Sequence, residues 1–184
     1  MANTRQAFYK SGKTDLQKKL DKKNIHEVPV IDKIVVSMGI GSLATRKWVK
    51  DFSELETNLG IITGQAPQMI LSKKAVSNFK LREWMPVMLR TTLRRKKAYD
   101  FIERLVTYVF PRIRDFEGLV EKKFDGRGNY TLWMKDQSVF PEINPEEIKL
   151  NSGLQITIIT TADTDSDAKA LLEQLWVIFM KKKS

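Results

Sequence analysis

The chain has 184 residues, 42% of them hydrophobic, with nine Phe, four Trp and four Tyr; this is enough for one packed domain and excludes a disordered basic tail. Its 32 Lys and Arg outnumber 22 Asp and Glu, giving a formal charge of +10 and a pI near 9.7, which point to a polyanionic partner. There is no cysteine, which excludes disulfides, zinc ribbons and thiolate catalysis, and no apolar run approaches the ~18 residues that would span a membrane.

Residues 4–23 read as a basic helix or half-ordered arm. Residues 1–24 carry Arg5, Lys10, Lys13, Lys18, Lys19, Lys22 and Lys23 against Asp15 and Asp21, a net charge of +5. Their apolar residues are few (Ala7, Phe8, Leu16, Leu20), so docking or RNA must hold the segment in place. No apolar stretch follows the first cations, so this is not a signal peptide. Val28-Pro29-Val30 breaks the arm, and residues 31–38, rich in Ile and Val, predict a strand closed by Gly39-Ile40-Gly41.

Trp48, Phe52, Leu55, Leu59 and Ile62 recur at helical spacing and predict one helix over 45–62, ended by Gly64. Residues 69–71 predict a short strand and 85–94 a longer one, because Pro86 can begin a strand but not sit inside one. Residues 97–110 predict a helix with Ala98, Phe101, Ile102, Leu105 and Val109 on one face, stopped by Pro111. Gly118, Gly126 and Gly128 make 112–129 an irregular loop.

Residues 129–135 alternate, with Tyr130, Leu132 and Met134 opposite Thr131 and Trp133. A last strand alternates Leu154, Ile156 and Ile158 with Gln155 and Thr157. Ala168, Leu171, Leu172, Leu175, Trp176 and Phe179 make the stripe of a final helix. Adjacent strands without helical crossovers predict an α+β single domain, with an antiparallel or mixed sheet and helices packed on it. The chain divides into a basic arm (1–24), an α+β RNA-binding domain (25–180, parted at 84/85) and a basic tail (181–184).

Charge is concentrated. Residues 73–97 hold Lys73, Lys74, Lys80, Arg82, Arg90, Arg94, Arg95, Lys96 and Lys97 against one acid, Glu83, a net +8. Such self-repulsion works against compaction unless a polyanion neutralises it, and nucleic-acid phosphates are the commonest neutralisers. In 73–84 the cations alternate with small and apolar residues. Phe79 and Trp84 there either stack on a base or ribose or anchor the loop to its own core.

Other features yield less. Gly39-Ile40-Gly41 is a plain turn or one that lets a phosphate approach the backbone, but it lacks the third glycine of a dinucleotide fingerprint. Asp163, Asp165 and Asp167 mimic a calcium loop whose sixth and twelfth positions are wrong (Ala168, Gln174), so Asp165 or its neighbours are expected to cap the final helix. Asn144-Pro145-Glu146-Glu147 has the same capping logic. His26, the one histidine, has no triad or metal-site companions. No assembled catalytic site, metal or cofactor is expected.

The chain strongly resembles the bacterial-type large-subunit ribosomal protein L5 family, which binds 5S rRNA. The ordered matches include Lys33-Ile34-Val35-Val36-Ser37-Met38-Gly39-Ile40-Gly41, Gly64-Gln65-Ala66-Pro67, Asn78-Phe79-Lys80-Leu81-Arg82, Thr92-Leu93-Arg94, Phe124-Asp125-Gly126-Arg127-Gly128-Asn129-Tyr130 and Phe140-Pro141-Glu142-Ile143. The resemblance covers about residues 28–175 and implies a five-stranded, mainly antiparallel sheet. It implies a non-enzymatic, ribosome-bound protein of the cytoplasm, or of an organelle, seated in the central protuberance.

There the family holds 5S rRNA and large-subunit rRNA, bridges to a protein of the small-subunit head, and touches peptidyl-site tRNA with a long loop. Carried over by position, 5S rRNA contacts fall on Ser37, Gln65 and Thr92, with Lys33, Gly39, Gly41 and Arg94 beside them. The tRNA-facing loop falls on 73–84, with Lys73, Lys74, Asn78, Phe79, Lys80, Arg82 and Trp84. Four departures stand out: Ser37 for the usual asparagine, Trp84 for the usual glycine, the more basic Arg95-Lys96-Lys97, and a C-terminus without the usual Gly-Met-Pro-Phe. The alternatives are a non-ribosomal RNA-processing enzyme, which would need clustered acids or a histidine near the loop where only Glu83 is close, an RNA chaperone using the basic loop, and a membrane-surface binder, which would need a helix with a charged face and a large apolar face.

Overall fold

A computed structural model describes residues 8–46, 49, 51–114 and 116–180. The architecture is an α+β single domain: one open five-stranded sheet in the order β2-β3-β1-β5-β4, with helices packed on it. The strands are β1 (Ile31–Gly39), β2 (Gln68–Leu71), β3 (Pro86–Arg94), β4 (Tyr130–Met134) and β5 (Leu154–Thr160). The α-helices among the described residues are α1 (Lys13–Lys19), α2 (Gly41–Arg46), α3 (Ser53–Thr63), α4 (Lys96–Arg104) and α5 (Asp165–Gln174).

Strand alternation follows the sequence. Leu154, Ile156 and Ile158 are buried while Gln155 and Thr157 are half-exposed. Tyr130, Leu132 and Met134 are buried beside the exposed Trp133. Pro86 opens β3, which pairs antiparallel with β2 through Gln68 opposite Arg90 and Met69 opposite Leu89.

Contacts among the described residues cluster in two compact units. The first takes in residues from 1–34, 94–132 and 157–184. In it α1 docks: Leu16 is fully buried, Phe8 packs 5.8 Å from the Tyr99 ring, Lys19 reaches Glu173 and Lys22 reaches Asp167, both at 3.0 Å. The arm is thus held by tertiary contact from Phe8 onward, while Arg5 and Ala7 lie outside the described residues, as do the tail lysines. The stripe of 97–110 is buried as expected, but the helix is α only to Arg104. It widens to a π-turn at Leu105–Val109 and closes as a 3₁₀ turn at Phe110–Arg112 around Pro111.

Two helix predictions need correction. The second unit (residues 35–93 and 133–156) holds α2 and α3 where one helix over 45–62 was expected. The Asp51 carboxylate accepts the Ser53 backbone N–H at 2.9 Å, a local bond that competes with continued helix and restarts it at Ser53. That bond holds the Asp51 carboxyl below its usual range. From Phe52 on, the stripe Phe52, Leu55, Leu59 and Ile62 is buried as predicted, and Gly64 ends α3 at φ 65°; Trp48 lies outside the described residues.

The last helix stops at Gln174 rather than reaching Phe179. Trp176 adopts φ 65°, and the chain turns to run beside Leu119 in a short parallel bridge with Phe179. Its N-cap is Thr164, whose Oγ1 accepts from the Asp167 N–H, not Asp165. Asp165 instead accepts the backbone N–H groups of Gly126 and Gly128 at 3.2 and 2.9 Å. At the other predicted cap, Asn144 does accept from the Glu146 N–H.

Candidate RNA interface

On β1 the residues facing away from the helices are Lys33, Val35, Ser37 and Gly39, between the buried Ile34, Val36 and Met38. On β3 they are Arg90, Thr92 and Arg94, between the buried Leu89, Thr91 and Leu93. The period of two therefore puts the predicted strand contacts at outward positions of their strands. Arg90 shares that alternation with Thr92 and Arg94 and was missed as a site residue. Its signal was in the sequence: Arg90, Thr92 and Arg94 recur at spacing two in a strand whose other residues, Thr91 apart, are apolar.

Gln65 and Thr92 are brought together, since Gln65 Nε2 donates to the Thr92 carbonyl at 3.3 Å. Thr63, at the end of α3, has its hydroxyl 2.7 Å from the Leu59 carbonyl and 2.9 Å from the Gln65 carbonyl, and its one proton, shared between them, ties the turn at Gln65 to the helix end. Ser37 sits deeper, 9% exposed, with its hydroxyl 3.4 Å from the Gln155 carbonyl. Its Oγ keeps acceptor capacity, and so can take a hydrogen bond from a ribose hydroxyl or bridging water.

Gly39 has open space above it, and its carbonyl accepts from Ser152. Gly41 packs on Val87 at ordinary contact distance. Between them Ile40 is buried and its N–H is spent on the Val87 carbonyl, so this turn presents the two glycines but not the middle amide to solvent. In the first unit, Lys33 contacts its neighbour Asp32 at 3.4 Å, an exposed pair of little energetic weight, and Arg94 is exposed.

The loop over 73–84 is a braced hairpin. Val76 and Leu81 exchange two backbone hydrogen bonds, Ser77–Phe79 forms a 3₁₀ turn, and Trp84 N–H closes the neck on the Ser72 carbonyl at 2.9 Å. From this frame Lys73, Lys74, Asn78, Lys80 and Arg82 all project as exposed side chains. Phe79 is 75% and Trp84 71% exposed, so neither ring anchors the loop to the core. Beside the hairpin, Gly41, Ser42, Thr45, Phe79, Lys80 and Val87 line an open groove of about 640 Å³.

Lys80 and Trp84 take left-handed backbone, φ 53° and 63°. For a residue with a Cβ this costs roughly 1–2 kcal/mol. Trp84→Gly should therefore leave the fold as stable or up to about 1 kcal/mol more stable, the gain limited by the entropy of glycine; a thermal melt checks it, and a lower Tm would show that the indole stabilises the loop.

The remaining candidates have structural roles. His26 is exposed, its N–H held by Asn24 Oδ1. Asp125 accepts from the Asn129 amide at 2.7 Å and from the N–H groups of Arg127 and Asn129, which hold its carboxyl below the usual range and fix the 125–129 loop. Burial pushes the Tyr130 phenol up to about 12, so it stays protonated and donates to the Val120 carbonyl. Among the described residues no cluster of His, Cys, Asp and Glu could hold a metal ion, and no helix is long and apolar enough to cross a membrane.

Known proteins resemble the chain over nearly its whole length. Residues 24–82 match the family model described as Ribosomal protein L5, and residues 86–179 match the model for the C-terminus of the same ribosomal family. The chain belongs to the ribosomal protein L5 family. It is 42% identical over 181 residues to the large ribosomal subunit protein uL5 of Macrococcus caseolyticus, covering 98% of this chain and 100% of that protein. It is 45% identical over 181 residues to uL5c of Gracilaria tenuistipitata, with the same coverage, and 46% identical over 167 residues to uL5 of Thermotoga maritima, covering 90% of this chain and 89% of the relative. Membership makes it a structural, non-enzymatic, RNA-binding constituent of the large ribosomal subunit.

Proposed function

We propose that the chain binds 5S rRNA in the central protuberance of the large subunit. The observation that carries this reading is the Gln65–Thr92 hydrogen bond, which fixes two of the three candidate contacts as one polar unit at the end of β3. Ser37, Gln65 and Thr92 fix geometry through RNA backbone and ribose, while Lys33, Arg90 and Arg94 supply the salt-dependent part of the affinity. Gly39 and Gly41 keep the turn after β1 slim enough for RNA to approach. The chain also meets large-subunit rRNA and contributes to the bridge with a protein of the small-subunit head.

The hairpin serves a separate partner, the peptidyl-site tRNA. Its cations (Lys73, Lys74, Lys80 and Arg82) face solvent together with Asn78 and two unpacked rings, Phe79 and Trp84, the combination that grips an RNA backbone and stacks on splayed bases. Lys80→Ala combined with Arg82→Ala should leave the affinity for isolated 5S rRNA within about twofold and slow translation by ribosomes carrying the variant. A comparable loss of 5S rRNA binding would make the loop part of the 5S site instead.

A further inference from the structure

Trp176 is the most exposed large apolar residue described, at 78%, and it holds left-handed backbone at φ 65°. The left-handed turn closes α5, because the Val177 N–H reaches back to the Leu172 carbonyl at 3.0 Å. Here the ring gains no burial from it, and the backbone turn needs only a residue that tolerates positive φ. The fold therefore makes no use of the indole, which is presented to solvent for a contact outside the chain.

The surroundings indicate its kind. Leu119 N–H bonds the Ile178 carbonyl at 2.8 Å and Met180 N–H bonds the Leu119 carbonyl at 2.9 Å, so the two segments run side by side. Leu119 and Phe179 turn inward, Phe179 onto the rings of Phe124 and Tyr130. Ile178 and Val120 turn outward, 63% and 39% exposed, and with Trp176 make an apolar strip.

The turn next to Val120 is cationic. Lys122 and Lys123 occupy the turn that follows Val120; both are exposed, and neither forms an ion pair among the described residues. The nearby acids Glu121 and Glu173 are taken up by Lys169 and Lys19. An exposed indole on a strip with exposed aliphatic side chains and two lysines without ion-pair partners among the described residues suits an unstacked nucleotide with its phosphates, whereas a protein partner matched only to the apolar strip would leave two lysines unanswered.

We infer that Trp176, Ile178 and Val120, with Lys122 and Lys123, form a second RNA-binding surface on which a base of large-subunit rRNA stacks. The strip shares no residue with the proposed 5S rRNA contacts, so its loss is read separately from theirs.

The test compares the full-length chain with Trp176→Gly and Trp176→Phe, measuring melting temperature and binding to protein-free large-subunit rRNA and to 5S rRNA at one fixed salt concentration. Trp176→Gly should melt at the same or a higher temperature, bind large-subunit rRNA about five- to hundredfold more weakly, and bind 5S rRNA as before. Trp176→Phe should retain most of the large-subunit rRNA affinity. Unchanged large-subunit rRNA affinity in Trp176→Gly overturns the inference, as does absence of binding by the intact chain. A loss seen only on assembled subunits also overturns it, since the strip would then contact protein. A loss shared equally with 5S rRNA, or a lower melting temperature, overturns it by showing that the residue serves the fold. Failure of the 5S rRNA reading would appear separately, as weak 5S rRNA binding by the intact chain.

Discussion

Gln65→Ala should weaken 5S rRNA binding by about 1–3 kcal/mol, as expected when a hydrogen bond closed off from water is lost and its partner is left behind. In a filter-binding or gel-shift titration at fixed salt this is about a five- to 150-fold rise in Kd. The effect has two sources. The amide itself is removed from the interface, and the Thr92 carbonyl loses the donor that meets it at 3.3 Å, so the end of β3 is less well fixed. Thr63 bonds the backbone carbonyl of residue 65, which any side chain keeps, so the turn after α3 survives the substitution. Because no charge is removed, the dependence of log Kd on log salt should keep its slope while the whole line shifts. An unchanged Kd would remove Gln65 from the interface.

Gly128→Ala should lower stability by about 2–3 kcal/mol. Gly128 has φ 75°, and a Cβ there would meet the Ala162 carbonyl oxygen at 2.7 Å and its Cβ at 3.0 Å. The first obstacle is backbone and cannot swing aside. Relief would pull the 125–129 loop away from its anchors. The Gly128 N–H would leave the Asp165 carboxylate, and its carbonyl would leave the Thr160 hydroxyl that donates to it at 2.7 Å. For a domain of this size the melting temperature should fall by about 4–12 °C. By contrast, a Cβ at Gly39 meets nothing within 4 Å, so Gly39→Ala serves as the control, and equal melting temperatures for the two variants would contradict the account.

These two sites also mark what the sequence could and could not reveal. The strands were legible because alternation records burial directly: Tyr130, Leu132 and Met134 went inside because their neighbours Thr131 and Trp133 could face out. Ser37 and Thr92 came instead from the family resemblance, and the strand alternation of the structure sets them at outward positions of β1 and β3. Local breaks were harder to see. The stripe through 45–62 is continuous as a pattern, yet a single Asp51–Ser53 bond restarts the helix, since short polar side chains compete with the backbone ladder.

Roles that depend on distant partners were not visible at all. Asp165 or a neighbour was expected to cap the last helix, and the neighbour Thr164 does, while the Asp165 carboxylate is engaged by amides 37 and 39 residues away in sequence. Trp176 fell on the apolar stripe of α5 by spacing alone. Its positive φ follows from the return of the chain toward Leu119, which no local pattern announces. Phe79 and Trp84 were undecided between core and surface for the same reason, and the braced hairpin settles them as exposed.

The most direct test of the central claim is a hydroxyl-radical map of the 5S rRNA nucleotides protected by the chain, made with the intact protein, with Gln65→Ala, and with Lys80→Ala plus Arg82→Ala. The account predicts that the double variant reproduces the intact footprint and that Gln65→Ala loses part of it at matched protein concentration. A footprint that survives Gln65→Ala and disappears with the loop substitutions would contradict it.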